Sequence, residues 1–296
     1  MVVIAAFLMI GFVAGRAGTT RVSSDSALLD RVILDWLLPA AIAYNVAPIR
    51  WSLHDVAVVG LCFVVTIIDA ALVLLACRFW RTDDVVKNTL LVVVPLGNTA
   101  FFGFAAVVQI LGVKSLPEAI IYDQLGTTLM LVTYGNAMAR GMGTVVSCED
   151  LYAVLKFRPL WGLLLGTVTG VLGGGFDWEP AHGLGVAATA ALLPVSMIAL
   201  GAKVAARGIL VTWHVAIGVI IRVVVGPAVA AFTVLLLIGN FRTVDAGLLQ
   251  TAMPPMFGAA LLAERRGLDA KLAYSLCGMG LVAACVALPL YGLLLK

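Results

Sequence analysis

Chemistry in this chain concentrates at two proline breaks inside apolar stretches. The first reads Pro95-Leu-Gly97-Asn98-Thr99 and the second Met253-Pro254-Pro255. Proline removes a helical hydrogen bond and clashes with the carbonyl four residues back. Pro95 thus frees the Leu91 carbonyl, and Pro254 and Pro255 free those of Gln250 and Thr251. A half-helix that starts after each break points its amide groups at the break, and such amides favour an anion. Asn98 and Thr99 follow directly and are able to donate to a carboxylate. Capping of the new half-helix by Asn98 is the plainer reading, and it is compatible with ligand contact.

Ionisable residues lie within apolar stretches as well: Asp69, Asp123 and Arg222. Charges in such places are costly and mark function or pairing. Asp69 and Arg222 fit either a structural ion pair or separate roles, Asp69 as a protonation site and Arg222 as an attractor of anions. Asp123 sits in Tyr122-Asp123-Gln124, a polar cluster suited to coupling, gating or polar packing. Asp35 lies near the start of its segment, where water reaches. Tyr44, Asn45, Tyr134, Asn136 and Ser196 are further polar candidates, read first as interhelical hydrogen bonds.

The elements that carry these residues are apolar helices. Of the 296 residues, 62% are hydrophobic and 12% charged, more apolar surface than a soluble domain of this size buries. Ten apolar segments run approximately over 1–15, 27–49, 54–77, 86–112, 116–139, 159–175, 180–205, 209–239, 243–263 and 270–295. The first begins at Met1 without a basic leader, so it reads as a spanning helix and not as a cleaved signal peptide. The longest connection, 140–158, holds Ser147-Cys-Glu-Asp150, a capping-box-like start for a short surface helix over 150–157.

Basic residues alternate in the connections. Those after odd-numbered segments hold fourteen: Arg16, Arg21, Arg31, Arg78, Arg81, Lys87, Arg140, Lys156, Arg158, Lys203, Arg207, Arg265, Arg266 and Lys271. Those after even-numbered segments hold three: Arg50, Lys114 and Arg242. The bias predicts odd connections in the cytoplasm and both termini on the other side of a plasma (inner) membrane.

The two halves match in order. Trp36-Leu-Leu-Pro39 pairs with Ala191-Leu-Leu-Pro194, Thr66-Ile-Ile-Asp69 with Val219-Ile-Ile-Arg222, Pro95 with Pro254, and Tyr122-Asp-Gln-Leu-Gly126 with Tyr274-Ser-Leu-Cys-Gly278. The offsets are all about 152 to 160 residues. The reading is an all-α membrane protein of ten transmembrane helices in two five-helix repeats, 1–139 and 159–296, joined by 140–158. An odd number of helices per repeat inverts the second, the architecture of many secondary transporters.

Other classes find little support. The net charge of +3 and the absence of a long basic run argue against a nucleic-acid partner. The five cysteines form no CxxC pair, and His54, His182 and His214 have no ligand spacing, so neither metal nor cofactor is expected. No HExxH or Ser/His arrangement points to an enzyme. A sodium-coupled bile-acid-type symporter, a cation/proton antiporter and a non-transporting membrane sensor are the alternatives. Antiporters usually place more acidic residues at such breaks.

Beyond these patterns, the chain resembles the auxin efflux carrier family, which includes the plant PIN-FORMED carriers and bacterial permeases for malonate and malate. The resemblance rests on Gly11-Phe-Val-Ala-Gly-Arg16, Leu37-Leu-Pro39-Ala, Gly97-Asn98-Thr99-Ala-Phe-Phe-Gly103, Tyr122-Asp-Gln-Leu-Gly126, Met253-Pro254-Pro255 and Leu262-Ala-Glu-Arg265-Arg-Gly267. It implies that segments 4 and 9 cross at their breaks. It further implies a scaffold of segments 1, 2, 6 and 7 that forms a homodimer, a moving transport domain of segments 3–5 and 8–10, and an organic-anion site at Pro95, Asn98 and the Pro254–Pro255 pair. Gly97, Thr99, Tyr122, Asp123 and Gln124 complete the candidate substrate-binding set. Where the family often has a second proline, this chain has Phe104-Ala-Ala106, and after the second break it has apolar Met256-Phe-Gly258. The second half-site then offers amides and shape, which leaves room for a monocarboxylate with an apolar body.

Overall fold

Apolar sequence with few breakers folds into long rods here, and each interruption has a local cause. In the computed structural model the described residues are 2–16, 33–49, 52–141, 152, 155–156, 158–172, 179–237, 239–240 and 244–295. Among them every regular element is helical, and the one strand-like feature is a bridge between Gly97 and Pro255. The Ser147–Asp150 motif, Cys148 and most of the expected 150–157 helix lie outside the described residues.

The first helix, α1, spans Val2–Arg16. A π-helical turn, Ile33–Leu37, leads into α2, Leu38–Val46. Helix α3, Leu53–Trp80, starts where Asp55 Oδ2 accepts from the Ser52 amide at 2.7 Å and ends at Arg81, whose φ of 50° stops the helix. Asp83 caps α4, Asp84–Val93, by accepting from the Val86 amide at 3.0 Å. After the first break come a π turn, Thr99–Gly103, and α5, Phe104–Ile110. The rod over 116–140 alternates α and π geometry: α6 Leu116–Ile121, π Tyr122–Thr127, α7 Thr128–Met130, π Leu131–Gly135 and α8 Asn136–Arg140.

The second half holds α9, Arg158–Leu172, and α10, Glu179–Arg207. Helix α11, Trp213–Ile220, passes through a π turn, Ile221–Val225, into α12, Gly226–Leu237. Helices α13, Asp245–Thr251, and α14, Phe257–Arg265, flank the second break, and α15 runs Ala270–Leu295. Among the described residues three rods are long and apolar enough to cross a membrane: 54–80, 213–237 and 270–294.

Polarity is arranged inside out. Leu75, Leu237 and Leu294 are 65%, 80% and 77% exposed, while Asn98, Thr99, Asp123, Gln124, Gln250 and Arg222 are buried. Water would not tolerate so many bare leucines in one surface, whereas lipid does.

Helices α1, α2, α9 and α10 pack on one another through small residues. A Cβ at Gly11 would stand 2.1 Å from the Ile198 carbonyl oxygen, and one at Gly201 2.2 Å from that of Leu8, so α1 and α10 touch backbone to backbone. Gly162, Gly166 and Gly170 meet Pro39, Ala43 and Ala47 in the same way, at 2.3, 2.6 and 2.1 Å to their carbonyl oxygens. Such four-residue spacing of small residues lets spanning helices approach closely enough for dispersion contacts to replace the missing hydrophobic drive. The remaining helices gather around α4, α14 and α15.

Candidate functional site

The two breaks meet. The Asn98 amide donates to the Pro254 carbonyl at 2.7 Å, and the Met256 amide donates to the Leu96 carbonyl at 2.8 Å. Four main-chain groups that no helix satisfies thereby satisfy each other, which is the requirement of a buried non-helical stretch. Gly280 on α15 lets Pro255 in, since a Cβ there would lie 2.5 Å from the ring.

Two of the three freed carbonyls also find donors. Tyr134 Oη donates to the Leu91 carbonyl at 2.8 Å, so the residue expected as an interhelical bond closes the gap that Pro95 opens. The Met253 amide reaches the Gln250 carbonyl at 3.2 Å.

Arg222 lies beneath the crossing, 1% exposed. Its Nε donates to the Met253 carbonyl at 2.9 Å, and its Nη1 donates to the Pro95 carbonyl and to Asp69 Oδ2, both at 3.1 Å. One guanidinium thus holds both breaks and one carboxylate. Of the two readings for Asp69 and Arg222, the ion pair is the one this geometry realises. Its Nη2 rests on Gly97, where a Cβ would come within 2.1 Å.

On the first half-helix, Thr99 Oγ1 donates to Asp123 Oδ1 at 2.5 Å and Gln124 Nε2 donates to Asp123 Oδ2 at 2.5 Å. Both carboxylate oxygens therefore accept, as the ionised form requires. Gln250 Nε2 spans the crossing to the carbonyls of Thr99, at 3.1 Å, and Ala119, at 3.3 Å. Its Oε1 lies over Gly103, where a Cβ would come within 2.1 Å. The Asn98 side chain makes no capping bond, so the plainer reading of that residue fails. Among the described residues its buried Oδ1 has no partner, and neither do Gln124 Oε1, Gln250 Oε1 and Asp69 Oδ1.

The structure thus brings Pro95, Gly97, Asn98, Thr99, Asp123, Gln124, Pro254 and Pro255 to one crossing, with the Asp69–Arg222 pair below it. Tyr122 is set apart, buried among Val58, Cys62 and Val65. Asn45 bonds its own helix at Ala41, and Asp35 sits near the surface 3.4 Å from Arg158. Asn136 Oδ1 accepts from Arg266 at 3.3 Å, well away from the breaks. Sequence reasoning missed Gln250 as a side chain, although a glutamine inside an apolar segment just before a proline break is a readable signal. It also missed Glu118, whose Oε1 accepts from the Gly247 amide at 2.8 Å and so ties α6 to α13. Among the described residues no cluster of His, Cys, Asp and Glu has the makeup of a metal site.

This crossing is what a family assignment has to explain. A family described as membrane transport protein matches residues 150–292, which include the second break, Arg222 and most of α15. An uncharacterized transporter of Methanothermobacter thermautotrophicus is 27% identical over 282 residues, spanning 92% of this chain and 89% of the relative. Another, from Methanocaldococcus jannaschii, is 27% identical over 231 residues, 75% of this chain and 73% of the relative. These likenesses support a membrane transporter. A transporter has a reason to keep broken helices and unpaired polar atoms in its interior, where a purely structural bundle would have continuous helices.

Proposed function

We propose that this transporter moves small organic anions across the plasma (inner) membrane by alternating access, with substrate bound at the crossing of the two breaks. The observation that carries the reading is the pair of backbone bonds between Asn98 and Pro254 and between Met256 and Leu96. They set the N-termini of the Thr99–Gly103 turn and of α14 on either side of one point. Two helix N-termini suit a carboxylate, and the Asn98 carboxamide beside them carries an Nδ2 able to donate to one. The apolar lining after the second break, Met256 and Phe257, suits an apolar body on the same substrate, whether malonate- or malate-like or an auxin-like monocarboxylate.

Around that site we infer ten spanning helices in two inverted repeats, 1–139 and 159–296. The tightly packed α1, α2, α9 and α10 form a scaffold on which a homodimer assembles, and the helices that carry the crossing move against it as an elevator. Both termini lie on the non-cytoplasmic side. A sodium-coupled symporter or a cation/proton antiporter of similar crossed-helix form remains the second reading. It draws on Asp123, but both oxygens of that carboxylate are already bonded, by Thr99 and Gln124.

The test is uptake of radiolabelled mono- and dicarboxylates into proteoliposomes. Asn98→Ala should reduce uptake at least about tenfold, the effect of losing roughly one good hydrogen bond to a charged group. Unchanged uptake by Asn98→Ala would place the substrate elsewhere.

A further inference from the structure

The three acceptors around Arg222 form an oxygen cage of unusual makeup. Two are main-chain carbonyls, Pro95 and Met253, one at each break. Helices α4 and α13 end at these points, so the negative ends of two helix dipoles face the same spot. The third is the Asp69 carboxylate, 0% exposed, whose Oδ1 has no partner among the described residues. A carboxylate with unwound backbone carbonyls at helix breaks is the oxygen set with which broken-helix carriers hold a small cation.

In this chain a side chain fills that set. Nε and Nη1 make three bonds within it, and space for the guanidinium comes from residues without a Cβ. A Cβ at Gly97 would collide with Nη2 at 2.1 Å, and one at Gly226 would press on Asp69 Oδ1 at 3.0 Å. Arginine does not release its proton in proteins, so this charge neither loads nor leaves during a transport cycle.

We propose that Arg222 is a tethered cation, seated in a monovalent-cation site made by Asp69 and the carbonyls of Pro95 and Met253, and that it frees the protein from any need for sodium or potassium. Truncating Arg222 opens the site to a free monovalent cation. An ion pair that only staples two helices has a different consequence: its truncated variant is weakened equally in every salt. The inference deepens the transport reading where it concerns coupling, but the cation site itself stands without it.

The experiment is thermal melting of the purified full chain in detergent, in sodium, potassium and choline chloride at equal ionic strength. Wild type should melt at the same temperature in all three. Arg222→Ala should melt lower in choline and recover by about 3 °C or more in sodium or potassium, saturably, as ligand linkage requires. The double variant D69N/R222A should lose that recovery. Arg222→Lys, which keeps a charge in the cage, should stay indifferent to the salt. If Arg222→Ala survives purification in sodium or potassium but not in choline, the same conclusion is read from yield, and loss in all three salts overturns it. A saturable sodium effect on wild type, or an Arg222→Ala protein indifferent to the cation, also overturns it. Failure of wild type to take up any carboxylate would sink the transport reading and leave this melting result standing.

Discussion

Hydrogen-bond donors are scarce at the crossing, and single side chains there carry unusual weight. Thr99 Oγ1 is one of two donors to the buried Asp123 carboxylate. Thr99→Val keeps the shape and removes that donor, so it should cost about 1–3 kcal/mol of stability, read as a lowered melting temperature. Tyr134→Phe strips the donor from the Leu91 carbonyl and should cost a similar ~1–3 kcal/mol. Asp69→Ala leaves a buried guanidinium without its counter-charge, a loss of about 3–5 kcal/mol, which should show as poor recovery of folded protein from the membrane. At this scale the sequence was legible where residue type alone is diagnostic. Charges and prolines inside apolar runs stand out, and Asp69 and Arg222 were placed in register by the repeat before any contact was known. What pairs Gln250 with Thr99, or Tyr134 with Leu91, is the approach of helices far apart in the chain, and no local pattern encodes it.

Helices here are specified by three devices, which differ in how far they show in a linear reading. Breakers do show: Pro95 and the Pro254–Pro255 pair interrupt helices where the sequence places the breaks. The π turns do not. Tyr122–Thr127 and Ile221–Val225 carry Asp123 and Arg222, so the widened turns coincide with the charged candidates. That coincidence depends on how each rod meets its neighbours, since the residues of these turns have ordinary helical propensity. The glycine rows are intermediate. Gly162, Gly166 and Gly170 are visible as a four-residue repeat, but that they face Pro39, Ala43 and Ala47 is a fact of packing. Gly166→Leu would drive a side chain into the Ala43 carbonyl, already 2.6 Å from a bare Cβ. Overpacking of this kind costs about 1–3 kcal/mol or more. Gly183, whose Cβ would meet nothing within 4 Å among the described residues, is the control at which the same change should leave the melting temperature nearly unaltered.

For the whole molecule, composition announced a lipid environment and the repeat announced a shared centre, but neither could state how the halves join. They join at the crossing, and this has a consequence for how the protein is made. Asp69 is synthesised 153 residues ahead of the arginine that neutralises it. The Leu96 carbonyl and the Asn98 amide likewise await partners more than half the chain away. While the ribosome is still extending the second half, the first therefore sits in the membrane with a bare carboxylate and an open backbone. A nascent first half should thus be held by insertion machinery or degraded if it is released early. Expressed alone, residues 1–139 should turn over quickly, and co-expression of 140–296 should rescue them, with the two pieces copurifying. Equal half-lives with and without the second piece would show that each half finishes its own interior.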